Sequence, residues 1–491
     1  MNAFPGERVV ELNRAPLQPE ADFVLYWMIA FRRARWNFSL QRAVDWACEL
    51  SKPLMVLEAL SCDYPWASDR LDTFVLEGMK DNRADFESTP VCYFPYVESA
   101  KGRGRGLVRE LAARSCVVVT DDFPCLFLPR MIRSVGQDLP VRMEAIDSNG
   151  LLPIAMAESV FKTARSFRRY LQLRLPDCFD RFPKENPLSG VSLPGLPEIP
   201  EKITRKWPTA DGLLDASSGV SARLPVDGRV ERVGTAGGCR AARNKLAEFL
   251  SSRLDRYSLE RNEPDRDATS NLSAFLHFGH ISVHEIFSGL AGLEGWSPEN
   301  LRAAASGKSA GWWGMSAGAE DFLDQLLTWR ELGFNMCSKR VDYDRFDSLP
   351  DWAIRTLSAH ENDPRQYVYS LEKFEGAKTH DPLWNAAQGQ LLREGRIHNY
   401  LRMLWGKKIL EWSPSAREAL STMIELNNKY ALDGRDPNSY TGIFWVLGRY
   451  DRPFGPRRPI LGTVRYMSSQ CAMRKLKLAG YIRRFAPGGS G

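Results

Sequence analysis

Apolar and polar positions change rhythm about halfway along this chain. Between Asp22 and Asp147, short apolar runs recur at Phe23 to Met28, Leu54 to Leu60, Val91 to Val97, Cys116 to Thr120 and Val141 to Ile146. Each is too short for a helix, and together they read as strands. Ser39 to Leu50 and Arg70 to Phe86 carry helical periodicity between them. Such alternation predicts a parallel sheet with crossover helices, a Rossmann-like α/β domain over residues 20–150. From Ala241 onward strand signals nearly vanish, and amphipathic runs at Ala241 to Leu254, Glu320 to Cys337 and Ala386 to Leu410 predict an all-helical domain over 239–485. The Pro-, Gly- and charge-rich stretch 151–238, with a helical piece around Ala157 to Leu171, reads as a connector.

Composition adds little to this picture. A chain of 491 residues is long enough for two domains, and 44% hydrophobic with 26% charged residues describes an ordinary globular protein. No apolar run reaches the roughly 18 residues of a membrane span, and the N-terminus lacks the basic start and apolar run of a signal peptide, so the cytoplasm is the expected location. Nine scattered cysteines without a C-x-x-C pair suggest neither a disulfide framework nor a metal cluster. The net charge of +6 is modest, but it is unevenly spread. After Trp445 the chain carries Arg449, Arg452, Arg457, Arg458, Arg465, Arg474, Lys475, Lys477, Arg483 and Arg484, interleaved with Tyr450, Phe454, Tyr466 and Tyr481. Such a tail is either solvated or suited to nucleic-acid phosphates.

Four local patterns could carry chemistry. Gly102-Arg103-Gly104-Arg105-Gly106 invites a phosphate-loop reading, yet the spacing is not G-x-G-x-x-G and the stretch does not follow the first strand, which favours a plain basic turn. His277, His280 and His284 have metal-like spacing, but no H-E-x-x-H or carboxylate cluster completes a site and no metal is expected. In Asp267 to Ser273, the hydroxyls of Thr269, Ser270 and Ser273 precede the apolar run Ala274 to Phe278. Hydroxyls and free N–H groups at a helix start suit a pyrophosphate, or form a simple N-cap. Trp405 and Trp412, seven apart, share one helical face, as would a core stripe.

Longer strings resolve some of these alternatives. Tyr257, Arg261-Asn262-Glu263-Pro264, Thr269-Ser270-Asn271-Leu272-Ser273 and Leu276-His277-Phe278-Gly279-His280 resemble the flavin-pyrophosphate segment of the photolyase and cryptochrome family. Lys378 to Gln388, Arg402 to Trp412 and Leu432 to Asn438 resemble class II photolyase motifs. The resemblance is strong over about 241–466 and weaker across the sheet, where Tyr26-Trp27-Met28 and Trp36-Asn37 fit loosely.

The resemblance implies a light-driven enzyme that repairs pyrimidine dimers in UV-damaged DNA, holds FAD and works as a monomer. It allows an antenna chromophore, 8-hydroxydeazaflavin or a folate, in the first domain. Tyr257, Thr269, Ser270, Leu272 and Ser273 would hold the cofactor, with Asn427 at flavin N5 and Arg402 paired with Asp433 beneath the ring. Trp405, Trp384 and Trp412 match the chain that re-reduces photoexcited flavin, with Trp405 nearest the flavin and Trp412 nearest solvent. Trp329, Met403 and Trp445 match the lesion pocket, with Arg465 on DNA phosphate. Gln325 stands where enzymes for cyclobutane dimers usually carry Glu, and Gln is familiar there in (6-4) photolyases and cryptochromes. A photoreceptor of cryptochrome type is the rival that the basic tail and pocket aromatics oppose. A plain DNA-binding protein leaves the flavin strings unexplained.

Overall fold

The computed structural model describes residues 4–196, 198–215, 224–302 and 304–487. The chain forms two compact units: Met1–Glu158, Arg174–Ala247 and Asn271–Pro298 make the first; Ser159–Leu173, Glu248–Ser270 and Glu299–Gly491 make the second.

The first unit is built on a six-stranded sheet of β1 (Val9–Glu11), β2 (Phe23–Met28), β3 (Leu54–Leu60), β4 (Val91–Val97), β5 (Ser115–Asp121) and β6 (Met143–Ile146), in the order β1-β6-β5-β2-β3-β4. All pairings are parallel except β1 with β6, which is antiparallel with Val9 opposite Ile146. Every residue of β2 and β5 is buried, which is why these runs show no polar alternation. β6 starts at Met143, two residues later than the apolar run suggested. Helix Phe38–Leu50 starts where the Asn37 side chain accepts from the N–H groups of Ser39 and Leu40, and helix Asp69–Glu87 follows β3. Two further helices, Leu107–Ala112 and Leu128–Gln137, were not anticipated; the second buries only Ile132 and Gly136, too thin a stripe to stand out.

Strand order reverses between β2 and β5, the place where open α/β sheets commonly bind ligands. Here Asp121, at the end of β5 and fully buried, accepts N–H bonds from Ile29, Ala30 and Phe31 at 2.8–2.9 Å and a bond from the Tyr26 hydroxyl at 2.8 Å. Donors that a phosphate would use elsewhere are committed to a side chain of the fold itself. The glycine-rich stretch is a turn: Gly104 donates to the Glu98 carboxylate at 2.9 Å, and the Trp207 indole N–H donates to the Arg103 carbonyl at 2.9 Å.

Of the three histidines of this unit, His280 and His284 are buried in the core and His277 is half-buried. His280 is buried, accepts from the Gly238 N–H at 3.0 Å and stacks on Phe74 at 5.2 Å; burial pushes its pKa down to about 3, so it is neutral. Among the described residues no group of three or more His, Cys, Asp or Glu could hold a metal, and no helix is long and apolar enough to cross a membrane. Gly279, at φ +75°, lies so close to Ala30 that a Cβ would fall 2.0 Å from its carbonyl oxygen. No other residue fits there.

The second unit is helical. Ala317–Leu323, a π-helical turn Asp324–Trp329 and Arg330–Lys339 run continuously, packing on Leu254–Glu260 at one end and on Pro437–Val446 at the other. Helix Asn399–Trp412 packs against Pro382–Glu394, Ala416–Tyr430 and Pro437–Val446. The run Ala386 to Leu410 is therefore two helices and not one. Gly395, at φ +66°, ends the first, and the second begins after His398.

Candidate active site

Three tryptophans of the second unit come together across the paired helices. The Asp381 side chain caps Pro382–Glu394 by accepting from Leu383 and Trp384, which fixes the start of the helix beside Trp384. Trp384 and Trp405 lie with ring centroids 6.5 Å apart and planes 5° from parallel, and Trp384 meets Trp412 edge-on at 6.1 Å. Each buried indole N–H of the stacked pair is anchored from the opposite helix: Trp384 donates to the Trp405 carbonyl at 3.0 Å, and Trp405 donates to Gln388 Oε1 at 2.9 Å. Gln388 also donates to the Glu375 carbonyl at 3.2 Å, so its orientation is set. Sequence reasoning gave it no role, although it stands one helical turn beyond Trp384 on the same face.

On the same helix as Trp405, Arg402 forms a two-point pair with Asp433, its Nη2 at 2.9 and 3.1 Å from the carboxylate oxygens. Arg402 Nε is buried and has no hydrogen-bond partner among the described residues. Asn427, 2% exposed on helix Ala416–Tyr430, donates to Ser439 Oγ at 2.6 Å. Tyr257 is buried edge-on against Phe249 and Phe322, and burial raises its pKa to about 12. Thr269 and Ser270 are half-buried in a loop held by Arg253, which donates to the Thr269 carbonyl at 3.1 Å. Leu272, buried, and Ser273, exposed, belong to the first unit, where the expected helix is only Ser273–His277 and has no side-chain cap.

Gln325 and Trp329 both lie in the π-helical turn, half-buried, while Leu326, Leu327 and Thr328 between them are buried. The turn thus offers Gln325 and Trp329 together and sinks the rest; π-turns often mark functional positions. Arg168 grips its first residue, donating to the two Asp324 oxygens at 2.6 and 3.1 Å and to the Gly307 carbonyl at 3.0 Å.

Met403 and Trp445 are half-buried. Trp445 carries two cations against its ring, Lys407 Nζ at 5.1 Å and the Arg465 guanidinium at 5.4 Å. Lys407 is 1% exposed and donates to the Val446 carbonyl at 2.6 Å; burial presses its pKa down to about 7, Asp451 opposing and Arg465 assisting.

The basic tail is not uniform. Arg449 is buried, lies 3.7 Å over Phe444 and donates to the Tyr343 carbonyl, so it is a structural group and faces no partner. Arg465 pairs with Asp451 at 3.3 Å and Arg484 with Glu394 at 2.7 Å. Arg452, Arg457, Arg458, Arg474, Lys475, Lys477 and Arg483 are exposed with no carboxylate partner among the described residues. These residues leave the tail with uncompensated positive charge.

No protein-family model matches the chain. Among known proteins it is 31% identical over 484 residues to the deoxyribodipyrimidine photo-lyase of Methanothermobacter thermautotrophicus, covering 98% of each chain. The Arabidopsis thaliana enzyme of the same name is 31% identical over 95% of this chain and 89% of its own; that of Potorous tridactylus is 31% identical over 96% and 82%. In three dimensions the chain resembles a bacterial class III photolyase from Agrobacterium tumefaciens, with a TM-score of 0.63 at 17% identity over 95% of this chain and 86% of that one, a likeness of fold. Relatives this similar over nearly their whole length show that the chain belongs to the deoxyribodipyrimidine photo-lyase family.

Proposed function

We propose that the chain is a class II photolyase that splits cyclobutane pyrimidine dimers in UV-damaged DNA by light-driven electron transfer, using noncovalently held FAD. The observation that carries this reading is the tryptophan array, ring by ring at 6.5 and 6.1 Å across two paired helices, one of which also bears Arg402, the partner of Asp433. The class rests on the strings Lys378 to Gln388, Arg402 to Trp412 and Leu432 to Asn438. The residues present fit a flavin. A buried N–H without an acceptor costs about 1–3 kcal/mol, and Arg402 Nε is such a donor, suited to a polar ring edge. Arg402, Asp433 and Asn427 would hold the ring and its neighbourhood, with Tyr257, Thr269, Ser270, Leu272 and Ser273 in the segment that takes the pyrophosphate. When bound, FAD supplies the light-absorbing electron donor. An antenna chromophore of deazaflavin or folate type would belong to the α/β unit. The protein would act as a monomer in the cytoplasm.

The chain's own residues do the rest. Trp405, Trp384 and Trp412 carry an electron inward to restore the cofactor's reduced state. Trp329, Met403 and Trp445 offer faces for an extruded dinucleotide. Gln325 donates an amide hydrogen bond to the lesion, and Arg452, Arg457, Arg474, Lys475, Lys477 and Arg483 of the tail, with Arg465, contact phosphates.

Gln325 favours a second reading, repair of (6-4) lesions. Defined oligonucleotides carrying either lesion, illuminated with pre-reduced protein and assayed for restored bases, decide between them. Repair of cyclobutane dimers is expected; repair of (6-4) lesions alone, or of neither, would overturn the proposal. Under the favoured reading, Gln325→Glu should raise the quantum yield on cyclobutane dimers up to about tenfold, on the order of 1.4 kcal/mol, with flavin content unchanged.

A further inference from the structure

The tryptophan array ends at a cavity. A space of about 400 Å³ is lined by Trp412, Tyr367, His380, Lys408, Arg458 and Tyr466, among others. Trp412 itself is only 4% exposed, so the cavity is its way to the outside. One wall is aromatic: His380 meets Trp412 at 4.9 Å, Tyr367 stacks on His380 at 3.7 Å and 19°, and the Tyr369 hydroxyl is bonded to His380 Nδ1 at 2.7 Å. The other wall is cationic and aromatic, with Lys408 5.5 Å over Trp412 and 5.4 Å over Tyr466, and Arg458 4.7 Å over Tyr466.

The charges inside largely cancel. Lys408 pairs with Glu411 at 2.6 Å, and Asp381, which also lines the space, is occupied by the N–H groups of Leu383 and Trp384 and by Ser469. The four formal charges of the lining sum to zero, but the Asp381 carboxylate is buried with both oxygens engaged, whereas Arg458 is exposed and has no carboxylate partner among the described residues, so the charge open to a ligand is positive. Flat stacking surfaces, hydrogen-bonding groups and one free guanidinium together select a planar, hydroxylated anion.

We propose that this cavity binds a planar, hydroxylated, anionic one-electron reductant, of the enediol or catechol class, which refills Trp412 after the array has delivered its electron. The proposal rests on the reading of Trp405, Trp384 and Trp412 as an electron path. In the refilling step the reductant loses one electron to the Trp412 radical cation, which returns to neutral indole with its N–H kept. The reductant's hydroxyl proton passes to solvent, leaving it as a radical anion. The stack of Tyr367 on His380 holds the reductant's ring within contact of the indole, and Arg458 holds its charge.

Ascorbate serves as the probe, on the whole flavin-loaded protein. The initial rate of flavin photoreduction should saturate hyperbolically with ascorbate, and Arg458→Gln should raise the half-saturating concentration at least fivefold. The neutral reductant dithiothreitol should give a linear dependence in both proteins. In the dark, saturation-transfer NMR should show ascorbate in contact with the wild-type protein, with or without flavin, and lose that contact in Arg458→Gln. A linear ascorbate dependence equal in both proteins, with no dark contact, would overturn the site. Displacement of ascorbate by undamaged duplex DNA would overturn it too, assigning Arg458 to phosphate. Dark contact without photoreduction at any concentration would instead overturn the electron path.

Discussion

In the proposed electron path the decisive residue is Trp405, because Trp384 reaches Trp412 but Trp405 is the tryptophan one helical turn from Arg402. Trp405→Phe should abolish photoreduction of oxidised flavin while pre-reduced protein still repairs; photoreduction at the wild-type rate would remove Trp405 from the path. Lys407 makes a prediction of a different kind. Its folded pKa of about 7 lies below the usual lysine value. Between pH 7 and about 10.4, the unfolded chain therefore binds a proton that the folded chain does not, and stability rises with pH across that window. The cost of burying the ammonium is fully present below pH 7. Lys407→Met should gain most over wild type near pH 6, by several kcal/mol, since each tenfold loss of proton affinity on folding is worth about 1.4 kcal/mol, and the gain should fade towards pH 10. Denaturant melts at both ends check this, and a pH-independent difference would show that Lys407 keeps its proton. Neither Lys407 nor Gln388 was legible in the sequence. A lysine in Gly406-Lys407-Lys408 reads as solvated, and the partner of an indole N–H cannot be named before the helices are paired. The spacing of Trp405 and Trp412 was legible, but Trp384 joined them only through family resemblance.

At the scale of elements, strands were easier to find than helix ends. β2, β3 and β4 lie where largely apolar runs placed them; β2 and β3 are buried almost throughout, and the one charge they admit, Glu58, is paired with Arg32 at 2.9 Å. Ala386 to Leu410 read as one helix because both halves are amphipathic, and the break depends on a single left-handed glycine. The π-helical turn left no trace in periodicity, since one extra residue per turn is invisible in a run as apolar as Leu326-Leu327. Its anchor can be tested. Asp324 and Arg168 are 10% and 14% exposed, so Arg168→Leu should leave a nearly buried carboxylate unpaired and cost about 2–3 kcal/mol. The double change with Asp324→Leu should recover much of that loss, measured by a double-mutant cycle in denaturant. A double variant as unstable as the single one would locate the cost in packing instead.

For the whole molecule, charge distribution matters more than net charge. Removing Arg457, Arg474 and Lys475 as glutamines should weaken DNA binding across all sequences and reduce the slope of log affinity against log salt by up to about 3, at roughly 0.9 per lost phosphate contact. An unchanged slope would assign these groups to solvent. Periodicity showed an α/β half and a helical half, yet the chain passes between its two compact units five times, near residues 158, 173, 247, 270 and 298. Nothing local marks these passages, because each is decided by which apolar side chains find partners far along the chain.

The last two passages bear on how such a chain can be inherited. Asn271–Pro298, downstream of where the helical half begins, packs with the unit that holds the sheet and buries Phe275, Ile286, Phe287 and Leu290 there. A recombination that joined this helical half to a foreign α/β half would carry that segment away from the surface that fits it, turning its four large apolar side chains towards a sheet that evolved without them. The two units are therefore expected to descend together, exchanged between genomes as a whole chain and not as halves.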